Sequence, residues 1–165
     1  MHLIYRDIES SDQGVICTLL TRSYQPLKEL NEFPWIPSDS MWKEYDDHIF
    51  EDLAKTDEIV SLTELDGIVV GLFSFFSDGT EATISRNCVL PENGGKGVGT
   101  GQVVEIVRRC NALGVKSILV VTGEHRFFAP AQRMYLKAGF REIEREDDGR
   151  SVGRVLIKYK LDLGR

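Results

Sequence analysis

Apolar residues along this chain switch between two rhythms, and the switching outlines a fold before any motif is considered. His2 to Ile8 alternates as a strand does, after which Val15, Ile16, Leu19 and Leu20 recur at helical spacing to about Tyr24. Ser10, three residues ahead of Gln13, predicts a capping box at the start of that helix. From Gln25 to Asp39 the period is lost. Three of the five prolines fall there beside Phe33 and Trp35, which predicts a loop carrying exposed aromatics. Helical spacing returns from Met41 to Leu53, with Trp42, Tyr45, Ile49 and Leu53 on one stripe and Ser40 or Asp39 as the cap.

The middle of the chain is strand-like. Glu58 to Leu65 and Ile68 to Phe76 flank Asp66-Gly67, a two-residue turn that favours tight hairpins, and Ser77-Asp78-Gly79 turns the chain into Thr80 to Val89. These three segments predict an antiparallel meander. A helix follows from Gly97 to Ala112, with Val103, Val104, Val107 and Cys110 expected inward and Leu113-Gly114 closing it. Lys116 to Thr122 is a short apolar strand, and a strand-helix-strand crossover predicts that it runs parallel to the strand ending at Val89. Pro130 suits the first turn of the next helix, which carries Tyr135 and ends at Gly139. Phe140 to Glu146 and Val152 to Leu161 then form a hairpin across Asp147-Asp148-Gly149-Arg150. The sum is an α/β (α+β) chain, with one mixed sheet of six to seven strands flanked by about four helices.

Length supports one domain, residues 1–165, with a single core. No apolar run exceeds about six residues, so no segment spans a bilayer, and the first residues lack a signal-peptide core. A cytoplasmic protein is expected. Cys17, Cys88 and Cys110 have no metal-like spacing and fall in apolar segments, as reduced core thiols do; His2, His48 and His125 are scattered, so no metal is expected. Net charge is −6 but unevenly spread: residues 28–58 sum to −7, and residues 91–141 sum to +5. The second half suits an anionic ligand. The first could attract a cationic amine or be a solvated face. No basic tract follows a nucleic-acid backbone, and the overall sign opposes such binding.

Five glycines mark the chemistry. Between Val89-Leu90-Pro91 and the helix lies Glu92-Asn93-Gly94-Gly95-Lys96-Gly97-Val98-Gly99-Thr100-Gly101. The first amides of a helix have no internal partner and carry partial positive charge, and glycines let a phosphate approach them. The nucleotide loops fit poorly: Lys96 is followed by Gly97 rather than Ser or Thr, and a dinucleotide fingerprint would need glycine where Gln102 or Thr100 stands. The stretch instead resembles the acyl-CoA signature of the GNAT superfamily of N-acetyltransferases, Val-x-Pro followed by [Gln/Arg]-x-x-Gly-x-[Gly/Ala]. Gly94 stands at the Gln/Arg position. A second block, Ala131 to Phe140, resembles the family's Asn-x-x-Ala-x-x-[Leu/Phe]-Tyr-x-Lys-x-Gly-Phe at Ala131, Met134, Tyr135, Lys137, Gly139 and Phe140, with Phe128 at the Asn position.

The resemblance implies the GNAT fold and transfer of the acetyl group of acetyl-CoA to a primary amine, by direct attack in a ternary complex without a metal. The acceptor is a small-molecule or peptide amine, and homodimers are common in the family. Val89, Gly94, Gly95, Lys96, Gly97, Val98, Gly99, Thr100 and Phe128 are the implied cofactor contacts. The pantetheine arm would lie between Asn87-Cys88-Val89 and Leu119-Val120-Val121. Tyr135 would protonate the leaving thiolate, its ordinary phenol being protonated at neutral pH. Strand alternation puts Glu81, Thr83, Ser85 and Asn87 on one face with Val89, which makes Glu81 the leading general base and Glu124 or His125 its substitutes. Trp42 and Tyr45 either pack in the core or sit in the helix-loop-helix region that walls the family's acceptor site. The alternative function is a CoA-binding protein of the same fold without transferase activity.

Overall fold

The computed structural model describes residues 1–32, 37–149 and 154–164. Its sheet contains β1 (Leu3–Asp7), β2 (Ile59–Leu65), β3 (Ile68–Ser77), β4 (Glu81–Val89), β5 (Ser117–Gly123), β6 (Arg141–Asp147) and β7 (Val155–Asp162), in the spatial order β1-β2-β3-β4-β5-β7-β6. Neighbours are antiparallel except β4 and β5, which run parallel as the crossover requires. The helices are α1 (Val15–Leu30), α2 (Asp39–Glu51), α3 (Val98–Ala112) and α4 (Ala129–Lys137). One core layer packs Ile16, Leu20, Trp42 and Ile49 of α1 and α2 against Leu62 and Leu72. The other packs Val103, Ile106, Tyr135 and Phe140 against Phe73, Phe75, Ile118 and Tyr159.

Four local expectations are corrected. Helix α1 continues through Pro26 to Leu30 instead of ending near Tyr24. Proline removes one donor, yet Leu27 beyond it is buried, and that packing carries the helix across the gap. Phe33 and Trp35 of the predicted loop lie outside the described residues, as does Val152 at the start of the last predicted strand. The cap of α1 comes from another helix: buried Asp46 of α2 accepts from the amides of Gly14 at 2.9 Å and Cys17 at 3.0 Å. Ser38, rather than Ser40 or Asp39, caps α2 through the Met41 amide. On α3, Val104 is 63% exposed while Gln102 and Ile106 face inward. At 100° per residue the stripe through Val103, Ile106 and Cys110 leaves Val104 on the solvent side.

The tight hairpin forms as expected, with Asp66 at φ 50° and Gly67 at φ 86°. The feature that builds the site is a bulge in β4. Ser74 of β3 faces Arg86 whereas Phe75 faces Ile84, so Ser85 is an extra residue on β4. Pairing of β4 with β5 covers only Glu81 to Ile84 against Ser117 to Val120. Beyond the bulge the two strands separate, and an opening lies between Ser85–Val89 and 121–123. Leu119 and Val120, expected beside the gap, are still paired.

Candidate functional site

At one end of the opening lies the glycine turn. Gly95 (φ 72°) and Gly97 (φ 81°) both adopt the left-handed conformation that favours glycine, and Gly97 is the N-cap of α3. Gly94 departs from the expected cradle, because its amide donates to the Pro91 carbonyl at 3.0 Å and closes the 3-10 turn Pro91–Asn93. Among the described residues, the amides of Gly95, Lys96, Gly97, Val98, Gly99 and Thr100 donate to no protein acceptor. The next amide, Gly101, bonds to the Gly97 carbonyl and begins the helical ladder. A run of unpartnered amides at a helix start, on an exposed turn, fits a diphosphate. Lys96 is exposed within the same turn.

The edges of the opening also carry unused polar groups. The amide of Leu90 donates to Val70 on β3, and strand alternation therefore aims the amide of Val89 away from β3, into the opening. The Val89 carbonyl accepts from Ser23 Oγ at 3.3 Å. Asn87 Nδ2 donates to the Tyr135 hydroxyl at 3.4 Å, while its buried Oδ1 finds no protein partner. Tyr135 is 3% exposed, and burial pushes its phenol up to about 12. Phe140 and Tyr159 flank its ring at 5.4 and 6.2 Å. The phenol therefore stays protonated at neutral pH, held beside the opening by Asn87. Cys88 follows Asn87 on β4 but packs on the α1–α2 side of the sheet, and burial pushes its thiol up to about 11, which makes it a poor nucleophile at neutral pH.

On the α1–α2 face, a cavity of about 330 Å³ adjoins the opening. Tyr24, Leu27 and Trp42 line one side, Gly123 and Phe128 the other, and Arg86 of β4 stands between. Phe128 packs onto Gly123, where an added methyl would lie 2.6 Å from its ring, and meets Phe127 edge-on at 4.9 Å. It thus forms cavity wall at the end of β5. Gln132 of α4 anchors that end by donating to the carbonyls of Gly123 at 2.8 Å and Glu124 at 3.1 Å. Tyr24, from the cavity side, adds to the upward shift of Tyr135, after burial and against the Asn87 bond.

The predicted bases fall differently. Glu81 is at the paired end of β4, where Ser117 Oγ donates to it at 2.8 Å and Lys160 Nζ lies 3.2 Å away. Those partners hold its carboxyl below the usual range, Ser117 first. Six residues of strand, about 20 Å, separate it from Asn87. The shared face fails for the same reason the opening exists: the extra residue at Ser85 breaks alternation, so Asn87 lies on the Tyr135 side and Glu81 does not. His125 and Glu124 do line the cavity. The imidazole Nδ1 of His125 accepts from the Phe127 amide at 3.1 Å, and Nε2 engages Glu32. Glu124 pairs through Oε1 with Arg145 at 2.6 Å. Arg86 had no place in the sequence-based site; a lone charged residue between Glu81 and the strand end at Val89 was its available signal. No cluster of metal-binding side chains occurs among the described residues.

A mixed sheet whose one parallel pair splays beside an amide-lined helix start is the architecture that the GNAT resemblance implies. The sequence matches the profile of the acetyltransferase (GNAT) family over residues 24–140, and the chain belongs to that family. Its fold is shared by a GNAT-family protein from Desulfovibrio desulfuricans (17% identity, TM-score 0.79, 98% of this chain and 99% of the other). It is shared equally by the ribosomal-protein-S18-alanine N-acetyltransferase of Escherichia coli (15%, 0.74, 99% and 96%). The PaiA N-acetyltransferase of Thermoplasma acidophilum, solved with coenzyme A, is similar over 99% of this chain and 100% of its own (13%, 0.73). No curated protein matches the chain in sequence.

Proposed function

We propose that this chain transfers the acetyl group of acetyl-CoA to a primary amine by direct attack in a ternary complex. The observation that carries the reading is the set of unpartnered amides from Gly95 to Thr100 beside an opening that holds Asn87 and Tyr135. When bound, acetyl-CoA supplies an acyl group activated as a thioester. The amides of residues 95–100 grip its diphosphate, and the orphaned Asn87 Oδ1 receives an N–H of its arm. The Val89 amide, aimed into the opening, would donate to the thioester oxygen and stabilise the charge that grows there, a contribution of roughly 3 kcal/mol for such a donor.

The acceptor occupies the cavity and reaches the thioester through the opening. An alkyl ammonium, with an ordinary pKa of about 10.4, must lose a proton first. Glu124, on the cavity wall, holds Arg145 through Oε1 and would draw the ammonium through Oε2, with the proton passing to water at the mouth. As the C–N bond forms and the C–S bond breaks, the Tyr135 hydroxyl would protonate the departing sulfur, and the second proton, shed by the newly acylated nitrogen, would pass through solvent to restore the phenol. Burial of Cys88 as a neutral thiol favours this direct route over an acyl-cysteine intermediate.

A CoA-binding protein without transfer is the competing reading, favoured by the engagement of Glu124 by Arg145 and of His125 by Glu32. The discriminating experiment measures thiol release from acetyl-CoA across a panel of amines. Amine-dependent release that saturates supports transfer, whereas micromolar CoA binding with no release on any amine supports the competing reading.

A further inference from the structure

The cavity contains a charge without a counter-charge. The Arg86 guanidinium lies over the rings of Trp42 at 5.3 Å and Tyr45 at 5.1 Å, both within cation–π range. Among the described residues, its one hydrogen bond goes from a terminal nitrogen to the Ser85 carbonyl at 3.3 Å, and no carboxylate lies within 4 Å of it. The nearby buried acid, Glu58, is held instead by Tyr45 Oη at 2.6 Å and Ser74 Oγ at 2.5 Å. Arg86 Nε is buried without a partner. So is Nε1 of Trp42, a residue only 4% exposed that lines the same cavity. Two buried donors with no acceptor cost roughly 1–3 kcal/mol each unless something satisfies them.

We infer that Arg86 and Trp42 form an oxyanion subsite, and that the acceptor is a small amine carrying a carboxylate, as an amino acid does. The inference rests on the acetyltransferase reading of the site and names its substrate class. Both orphaned groups are donors, so the missing partner is an acceptor; one of them is charged, so the partner is anionic. A monoanion matches a single unpaired guanidinium. A phosphate dianion would need a second cation, and Arg154, the other arginine on the cavity wall, is already paired with Asp148. A cavity of about 330 Å³ is at the small end for ligand sites, which suits a metabolite rather than a folded protein's terminus. With the carboxylate on Arg86 and the ammonium toward Glu124, such an acceptor spans the cavity with its amine next to the opening.

The test compares an α-amino acid, its amide, the decarboxylated amine and O-phosphoethanolamine, each at equal free-base concentration. Wild-type protein and the variants Arg86→Met and Arg86→Lys are assayed by thiol release and by calorimetric binding of the acceptor in the presence of CoA. The expected ratio of kcat/KM for amino acid over amide is at least 100 in wild type. It falls at least 30-fold in Arg86→Met, equivalent to about 2 kcal/mol, and partly recovers in Arg86→Lys. Equal use of acid and amide by wild type, or a ratio unchanged in Arg86→Met, overturns the inference. Preference for O-phosphoethanolamine overturns the assignment of a carboxylate. If no acceptor is turned over but the amino acid binds wild type and not Arg86→Met, the subsite stands and the transfer reading falls.

Discussion

Tyr135 and Glu81 are two side chains whose roles now separate. Tyr135 is fixed in the opening by Asn87 and stays protonated, so Tyr135→Phe is expected to lower turnover about 100-fold, the range of a lost proton donor, while leaving CoA affinity within twofold. Steady-state rates and calorimetry check both parts. Glu81 is bound to Ser117 and Lys160 far along β4, and Glu81→Gln is expected to keep the wild-type pH–rate profile. A lost acidic limb would return it to the mechanism. The difference in legibility is physical. The glycine turn and the Tyr135 block are contiguous in the chain, so their chemistry can be recognised locally. The facing of Glu81 and the exposure of Arg86 to the cavity depend on an inserted residue at Ser85, which an alternating pattern does not reveal.

Among the elements, α3 carries the turn, and its seat is ionic as well as apolar. Arg109 reaches from α3 to Asp7 of β1 at 2.6 Å and to Ser61 of β2 at 2.8 Å, with Phe73 beneath its guanidinium at 5.4 Å. Glu105 holds both Arg108 and Arg109, and hydrogen bonds from Arg108 first, then Arg109, bring its carboxyl down to about 2. A carboxyl lowered on folding stabilises the native state above its unfolded pKa of about 4.5, and that stabilisation is lost as pH falls through the folded value. Glu105→Gln is therefore expected to cost on the order of 1 kcal/mol at pH 7, since Arg108 is largely exposed and screened. The cost should shrink between pH 4.5 and 2, as urea unfolding at each pH would record. Strand and helix order along the chain were legible from periodicity. The continuation of α1 past Pro26 was not, because the packing of Leu27 overrides the local break.

For the molecule as a whole, the acidic first half divides between two buried structural acids and a solvated surface. Asp46 is a buried cap, Glu58 is buried among hydroxyls, and Asp39, Asp47 and Asp52 pair with Lys28, Lys43 and Lys55. From residues 28–58, only Pro37, Met41 and Trp42 line the cavity among the described residues. The sheet ends in β6, exposed along its length and dense in charge, which opposes edge-to-edge pairing with other strands. No helix among the described residues is long and apolar enough to cross a membrane. The separation of β4 from β5 has a kinetic corollary. On the proposed reading the donor would enter along the glycine turn and the acceptor through the cavity, so neither would block the other's entry. Initial-rate plots should intersect, and each product should inhibit competitively against its own parent, the signature of random-order addition; parallel lines would instead mean that the first product departs before the second substrate arrives.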